Sequence, residues 1–433
     1  MESVQNVFSY REAELDSDHF LVITKMRQSV EDLQKKNTRK ERRIKMYVAR
    51  YSILFLCPLI ASVASKCTTT YITVCEKVSE VQRLGEKSWE NLMISPDTCN
   101  KAKVNNLNEV LSSDAFAEAK NIEELFILEK VTGIEPGAFN GLSQLTYIKL
   151  YKNQIVVIPK DAFSNLPNII KIDLQHNFIE NTVHGLFGNS SVQFINLSHN
   201  KLNNIQVGKF DIPSLLKVVL QENHISYIAP GSFHENLEHL NLAHNNIASF
   251  DRGVLEPLRN LKELLLCHNR IKGISLNYGL PNLVSLDLSH NQIVNIEDGS
   301  FHQFLELKHL KLNHNYITHV SHNIFSNKNQ IRSLHLHYNA IVHLFDPVGQ
   351  ILKQLEEITL SGNPWACPCL KEMTSYVAER NISQPECDKN YFKVGKSAVC
   401  IVTEDVCTGG EELTKETYQN FQNSLNVDLC SNL

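Results

Sequence analysis

The sequence predicts an α/β protein in which a curved parallel sheet runs along a solenoid. A phrase recurs ten times, with three aliphatic residues spaced Leu-x-x-Leu-x-Leu and an asparagine three positions after the last. Successive asparagines are 22 to 24 residues apart, which indicates one strand-and-return unit, a coil, per copy. The asparagines are Asn153, Asn177, Asn200, Asn223, Asn245, Asn269, Asn291, Asn315, Asn339 and Asn363.

Each slot of the phrase has a physical reason. Leu286 and Leu288 alternate inward as a short strand, whereas Asp287 and Ser289 are expected to point outward. Asn291 follows the strand and can satisfy backbone groups that a turning chain would otherwise bury unpaired. This phrase and its period are those of leucine-rich repeats.

A degenerate copy precedes the ten. Ile122, Leu125 and Ile127 fill its aliphatic slots and Lys130 replaces the asparagine, so this copy is expected to begin the stack. Phenylalanines recur in register behind the strands and predict an aromatic stack on the convex side: Phe139, Phe163, Phe187, Phe210, Phe233, Phe301 and Phe325.

Both ends of a solenoid need covers, and cysteines mark them. The motif Asn-Pro-Trp-Ala-Cys-Pro-Cys at 363–369, with Cys387 and Cys407 after it, resembles the cysteine-rich cap of extracellular leucine-rich repeat proteins. The resemblance implies the pairs Cys367–Cys387 and Cys369–Cys407.

The remaining cysteines leave alternatives open. Cys400 and Cys430 pair with each other or elsewhere. Cys67, Cys75 and Cys99 suggest a looser cap at the near end, in which one thiol lacks a local partner. Eleven cysteines in such clusters favour an oxidising compartment.

Residues 46–64 have the parts of a secretory signal peptide. A basic start at 46–50 precedes an apolar run at 51–64, and the small residues at 62–64 suit cleavage. Cleavage would release a soluble chain. The alternative is that 51–64 stays uncleaved as an anchor, although a bilayer span needs about 20 residues.

The leader at 1–45 carries a second resemblance. Residues 16–22 resemble the last strand of a retrotransposon-type endonuclease, in which an aspartate and a histidine, here Asp18 and His19, serve metal-assisted cleavage. That site needs further carboxylates from a much longer domain, so we expect no enzyme and regard 1–45 as disordered or mispredicted.

The displayed strand face is the candidate binding surface, because exposed aromatic rings beside lysines suit partner binding. An alternative is that Phe126 and Leu128 only pack under the near cap. The predicted partner-binding residues are Phe126, Tyr147, Lys149, Tyr151 and Phe194 in early coils, and Lys311, His335 and His337 in late coils.

Histidines fill the slot before the asparagine in most coils and predict a ladder along one strand edge. Neighbouring strands lie about 4.8 Å apart, so adjacent imidazoles would interact. One interpretation is that the slot tolerates any polar residue and the ladder has no role; the alternative is that acidification charges the ladder and loosens partner binding. Glu222 interrupts the ladder. Its histidines are His176, His199, His244, His268, His290 and His314.

Cys267 stands on the displayed face, about 29 Å or six strand spacings from the near cap, so it cannot pair there. It is either a thiol for an intermolecular disulfide or a tolerated free cysteine. Sequons at Asn189, Asn196 and Asn381 allow glycosylation. The net charge of −5 and the lack of a basic stripe disfavour nucleic acid, and no cofactor or metal site is expected.

The predicted organisation ends in a tail whose apolar residues recur at helical spacing from Leu413 to Leu429. The expected segments are a leader at 1–45, a signal peptide at 46–64, a near cap at 65–121, about eleven repeats at 122–363, a far cap at 364–407 and a tail at 408–433.

The region after the signal peptide, 65–433, resembles secreted insect leucine-rich repeat proteins, including the leucine-rich immune family. The Leu-Ser-His-Asn form of the phrase, as at 288–291, and the far-cap motif carry this resemblance. It implies a non-enzymatic, secreted protein that binds an extracellular protein or microbial surface ligand in innate immunity. The double-cysteine motif and long coiled coils of that family are missing. The alternative is a membrane-tethered adhesion or receptor-like ectodomain.

Overall fold

The architecture is a solenoid of short parallel strands. The computed structural model describes residues 72–75, 91–94, 109–117, 122–127, 131–160, 162–181, 187, 190–274, 276, 279–344, 352–385, 419 and 421. All of them belong to one compact unit, 64–97 with 102–433. The predicted leader, the signal peptide, Cys67 and Cys99 lie outside the described residues.

Twenty-one strands are present in the described residues, and thirteen of them form one sheet. In chain order the strands are β1 (Ile72–Cys75), β2 (Asn91–Ile94), β3 (Glu109–Leu111), β4 (Glu124–Ile127), β5 (Val131–Ile134), β6 (Tyr147–Lys149), β7 (Lys171–Asp173), β8 (Phe194–Asn196), β9 (Asn204–Ile205), β10 (Lys217–Val219), β11 (Tyr227–Ile228), β12 (His239–Asn241), β13 (Glu263–Leu265), β14 (Gly273–Ile274), β15 (Ser285–Asp287), β16 (Asn295–Ile296), β17 (His309–Lys311), β18 (His319–Val320), β19 (Ser333–His335), β20 (His343–Leu344) and β21 (Glu357–Thr359).

The main sheet follows the order β1-β2-β4-β6-β7-β8-β10-β12-β13-β15-β17-β19-β21, and every pair is parallel. Four two-stranded parallel sheets, β3-β5, β9-β11, β14-β16 and β18-β20, lie outside it. The predicted solenoid is confirmed. The expectation that the stack begins at the degenerate copy is wrong, because β1 and β2 pair ahead of β4 and extend the sheet.

Buried asparagine side chains join each coil to the one before it. The Asn291 Nδ2 donates to the carbonyls of Leu266 and Leu288 at 3.0 Å each, and its Oδ1 accepts from the Ile271 amide at 3.0 Å. All ten asparagines of the phrase are between 0% and 7% exposed. Leucine in this slot would leave these backbone groups unpaired, which is why the slot holds asparagine.

The opposite side of the coil holds the predicted phenylalanine stack. Ring centroids of successive phenylalanines from Phe139 to Phe233 are 5.5 to 6.2 Å apart, and Phe301 stacks on Phe325 at 5.7 Å. Phe116 extends the stack by one coil. Neighbouring strands of a sheet lie about 4.8 Å apart, so the spacing between coils is larger on the phenylalanine side than on the sheet side. The main sheet therefore lies on the concave side of the curve.

Helices are few and short among the described residues. They are α1 (Arg252–Leu255), a 3-10 turn (His322–Ile324) and α2 (Cys367–Glu379). The sequence analysis did not predict α2, although Cys369, Met373 and Val377 recur every four residues and form its buried face. The predicted tail helix lies mostly outside the described residues, where only Gln419 and Phe421 are described, both helical.

The far end is sealed by Trp365 and α2. Trp365 is fully buried and its Nε1 donates to the Leu360 carbonyl at 2.9 Å. Cys367 and Cys369 are disulfide-bonded. Their implied partners Cys387 and Cys407 lie outside the described residues, as do Cys400 and Cys430, so the pairing stays a prediction.

We expect Asn291→Ala to lower the free energy of unfolding by at least about 2 kcal/mol, since it strands buried backbone groups of two coils. Urea unfolding followed by circular dichroism measures this. The matched control is Asn295→Ala, at an exposed residue that begins β16. We expect it to change the free energy of unfolding by less than about 0.5 kcal/mol. Equal effects of the two substitutions would contradict the structural role of the buried amide.

Candidate binding surface

The register of the main sheet aligns outward residues into columns across the coils. Ten strands of the main sheet, from β6 to β21, each contribute their first residue to one column, which we call the first column. Each of its members is half-buried or exposed. The first column is Tyr147, Lys171, Phe194, Lys217, His239, Glu263, Ser285, His309, Ser333 and Glu357.

Lysines and aromatic rings alternate in the early half of this column. The Lys171 Nζ lies 4.5 Å from the Tyr147 ring centroid and 5.1 Å from that of Phe194. The Lys217 Nζ lies 5.9 Å from the Phe194 centroid. Each contact is in the range of a cation–π interaction. Sequence analysis missed Lys171 and Lys217, although their position at the start of each strand was the available signal.

The other early residues of the prediction lie beside this column. Phe126 packs edge-on against Tyr147 with centroids 5.2 Å apart, and the Lys149 Nζ lies 5.1 Å from the Tyr151 ring. Phe126 is half-buried, and Leu128 lies outside the described residues. The structure therefore brings Phe126 on β4, Tyr147 and Lys149 on β6, and Phe194 on β8 onto one face of the sheet, with Tyr151 just after β6.

Asp173 lies in the outward column between Lys149 and Asn196, beside the early half of the first column. It is 4% exposed, and its Oδ1 accepts from the Gln175 amide at 3.2 Å. Burial raises the pKa of this carboxyl, while the Gln175 amide and the nearby Lys149 and Lys171 lower it. The Asp173 carboxyl thus interacts electrostatically with both lysines.

Charged residues in the late half pair across neighbouring coils. Glu238 and Lys262 lie 2.8 Å apart, and Arg332 and Glu356 lie 3.0 Å apart. In the first column itself, the His239 Nδ1 lies 3.2 Å from a Glu263 carboxylate oxygen. Several charges of the late half are therefore paired within the chain, whereas no ion pair is formed by Lys171 or Lys217 among the described residues.

The structure corrects two predicted binding residues. His335 is 4% exposed and His337 is fully buried, so neither is presented on the surface. The strand β21 holds both rings, because the His335 Nε2 lies 2.7 Å from Glu357 and the His337 Nδ1 lies 2.6 Å from the Thr359 hydroxyl. Lys311, the third late candidate, stays half-buried on the face.

Outward position on a strand does not guarantee exposure. Ser289, expected on the displayed face, is 5% exposed because its hydroxyl donates to the Asp287 carboxylate at 2.6 Å. The Ser289 side chain thus bonds to a residue of its own coil and does not project into solvent.

The predicted histidine ladder is a column of stacked rings. Centroids of His244, His268, His290 and His314 are 4.0 to 4.1 Å apart, as are those of His176 and His199. At the interruption, the His199 Nδ1 lies 2.8 Å from a Glu222 carboxylate oxygen. The stacking confirms that adjacent imidazoles interact.

Backbone conformation explains the choice of residue in this slot. All ten positions before the asparagines have a positive φ, from 52° at His290 to 65° at Gly362. Histidine is among the side chains enriched in this left-handed region. The left-handed turn thus selects the residue type at this position. The rings stack because the same position recurs in successive coils.

Crowding of the imidazoles disfavours their protonated form. Burial and the neighbouring His290 and His244 lower the pKa of His268 to about 4. Burial, together with His199 and Lys152, also lowers the pKa of His176. These histidines are therefore neutral at neutral pH, and acidification works against the folded arrangement.

Cys267 is free and half-buried. Burial and the Asp287 carboxylate raise the pKa of its thiol to about 12. Because the thiolate is the reactive form, this thiol exchanges slowly with disulfides at neutral pH, and its surroundings do not favour the intermolecular disulfide. The covalent link stays a prediction.

Two of the three predicted glycosylation sites are described. Asn196 lies half-buried on β8, where its Oδ1 accepts from the Ser198 amide and hydroxyl at 3.0 and 2.8 Å. A glycan on its Nδ2 would stand beside Phe194. Asn381 follows α2 at an exposed turn with φ of 52°. Asn189 lies outside the described residues.

Among the described residues, no group of three histidine, cysteine or acidic side chains is arranged to hold a metal ion. In the same part of the chain, no helix has the length and apolar character needed to cross a bilayer.

We expect unfolding to become easier as pH falls. Burial is the main cause that lowers the pKa of His337 in the folded state to about 2, against an ordinary value of 6.5. The full free energy of unfolding is therefore present above pH 6.5. It decreases as pH falls from 6.5 toward 2, because the unfolded state binds the proton and the folded state does not. Between pH 6.5 and 5 this group alone should cost about 2 kcal/mol of unfolding free energy. His268, His176 and His335 shift in the same direction.

Urea unfolding at pH 7.5, 6.5 and 5 measures this dependence. The variant His337→Gln removes this titrating group and should make the pH dependence shallower, with the part due to His268, His176 and His335 remaining. The variant His224→Gln, at an exposed histidine outside the ladder, should leave the dependence unchanged. A wild-type stability that is constant over this range would count against the buried neutral imidazole.

Similar proteins share the repeat. Tsukushi-A from Xenopus laevis is 30% identical over 141 residues, which cover 33% of this chain and 35% of that protein. Podocan from Mus musculus is 26% identical over 178 residues, covering 40% and 28%. The matched segments thus span about a third of each relative. The solved mouse RP105/MD-1 complex has a TM-score of 0.51 at 20% identity, covering 75% of this chain and 60% of that one.

Three family models match the repeats. Leucine rich repeat matches residues 213–271, 281–341 and 305–364, BspA type Leucine rich repeat region matches 109–241, and Leucine Rich repeats matches 259–301. Together they run without a gap from 109 to 364, more than half of the 433 residues. The chain therefore belongs to the leucine-rich repeat proteins.

Proposed function

We propose that this chain is an extracellular binding protein that docks a protein partner on the concave face of its sheet. The observation that carries the proposal is the alternation of Tyr147, Lys171, Phe194 and Lys217 along the first column. Large rings that lie half-buried on a rigid strand bury area on binding at little entropic cost. The activity is binding rather than catalysis, as for its curated relatives.

Two features support an extracellular location. The signal-like segment at 46–64 offers a route to secretion. Cys367 and Cys369 are disulfide-bonded, which favours an oxidising compartment. Both features belong to the same proposal, because secretion would place the cap in the compartment where its disulfides persist.

Within this proposal, the finer role is innate-immune recognition of an extracellular factor or of a microbial surface ligand. It rests on the resemblance of the repeat phrase and far cap to the secreted immune family. The alternative is a membrane-tethered adhesion or receptor-like ectodomain, held by residues 51–64. Fractionation of producing cells separates the two: the secreted form appears in the medium, and the tethered form pellets with membranes.

Site-specific photo-crosslinking tests the binding face. A photoreactive phenylalanine replaces Tyr147 or Glu263 on the sheet face, and in the matched control replaces exposed Gln303, which follows Phe301 on the convex side. After incubation with extracellular fluid and irradiation, we expect protein adducts from the sheet face and few from Gln303. Adducts that form equally on both sides, or on neither, would reject concave docking.

A further inference from the structure

We propose that the early half of the sheet face binds an acidic segment of a partner polypeptide that also carries apolar side chains. This inference rests on the proposed function and names the chemistry of its partner. The surface, here called the lysine–aromatic surface, consists of Tyr147, Lys171, Phe194, Lys217, Ile170 and Leu216.

The lysines of this surface form no ion pair within the part of the chain that the structure describes. Lys171 and Lys217 lie over aromatic rings, and neither forms an ion pair with any described residue. The Asp173 carboxyl, which interacts electrostatically with Lys171, is 4% exposed and forms no ion pair with that lysine. Charges on the late coils, by contrast, are paired across coils. A complementary partner must therefore bring negative charge to the early half.

Apolar side chains border the same lysines. Ile170 is 44% exposed and Leu216 is 36% exposed, each immediately before a strand of the surface. The corresponding positions of four later coils hold the ion-paired residues Glu238, Lys262, Arg332 and Glu356, and those of the two coils between Lys262 and Arg332 hold Val284 and Lys308. Sulfated polysaccharides offer anionic groups without apolar side chains. The combination of ammonium groups, rings and aliphatic side chains thus favours a polypeptide.

The spacing of the lysines fits an extended segment. Lys171 and Lys217 are two strands apart in the sheet, which places their Cα atoms about 9.6 Å apart. A polyproline II segment rises about 3.1 Å per residue and turns once in three, so side chains at i and i+3 share a face about 9.3 Å apart. Acidic residues at every third position would therefore meet both lysines, with Phe194 between them.

The test uses the full chain and a fluorescent nine-residue peptide of three Glu-Pro-Leu repeats, with fluorescence anisotropy as the readout. The double variant Lys171→Gln with Lys217→Gln should bind the peptide at least tenfold more weakly. The matched control, Lys262→Gln with Lys308→Gln, removes the same charge from the late half and should stay within twofold of wild type. A Lys-Pro-Leu peptide should not bind.

A second variant separates polypeptide from polysaccharide. Ile170→Ser with Leu216→Ser changes exposed side chains only, and should weaken the Glu-Pro-Leu peptide several-fold. Circular dichroism confirms that every variant folds. The proposal is overturned if the peptide fails to bind, if both lysine variants lose affinity equally, or if a heparin fragment binds more tightly than the peptide and is insensitive to Ile170→Ser with Leu216→Ser.

Failure of this inference is distinguishable from failure of the proposed function. Photo-crosslinked adducts from Glu263 but none from Tyr147 would place the partner on the late half, which overturns the acidic-segment proposal and keeps concave docking. Adducts from Tyr147 together with selective peptide binding support both.

Discussion

Buried asparagine amides hold this solenoid together, because each one satisfies backbone groups in two successive coils. Asn291 bonds Leu266 and Ile271 of the preceding coil and Leu288 of its own. The coil cannot shift along its neighbour without breaking these bonds inside an apolar core, where no water replaces them. Strand register is therefore fixed coil by coil, and every outward residue falls into a column.

Columns of this kind turn a sequence position into a surface. At the slot before each asparagine, a left-handed turn selects residues such as histidine, and the repeat then stacks their rings as closely as 4.0 Å at His268 and His290. Burial, together with the neighbouring His290 and His244, lowers the pKa of His268 to about 4, so this ring stays neutral. A local backbone requirement has thus produced a long-range electrostatic property.

The same columns divide the sheet face into two halves of different chemistry. Late coils place opposite charges immediately before adjacent strands, as with Glu238 and Lys262, and these charges form ion pairs. Early coils place Lys171 between the rings of Tyr147 and Phe194 instead. Because the register is fixed, the alternation of lysines and aromatic residues along the chain becomes a cationic and aromatic strip across the sheet. Its lysines contact rings and form no ion pair with a described residue.

The sequence by itself determined the solenoid, the asparagine ladder and the phenylalanine stack, because their residues recur at a fixed period and each coil repeats the same local solution. It also identified the early aromatic residues beside the lysines. Tertiary structure alone decided that His335 and His337 are buried, since the acceptors Glu357 and Thr359 stand on the next strand, more than twenty residues away. It likewise decided that β1 and β2 join the sheet without the repeat phrase, and that Lys171 bridges two rings, because pairing between distant segments leaves no periodic signal.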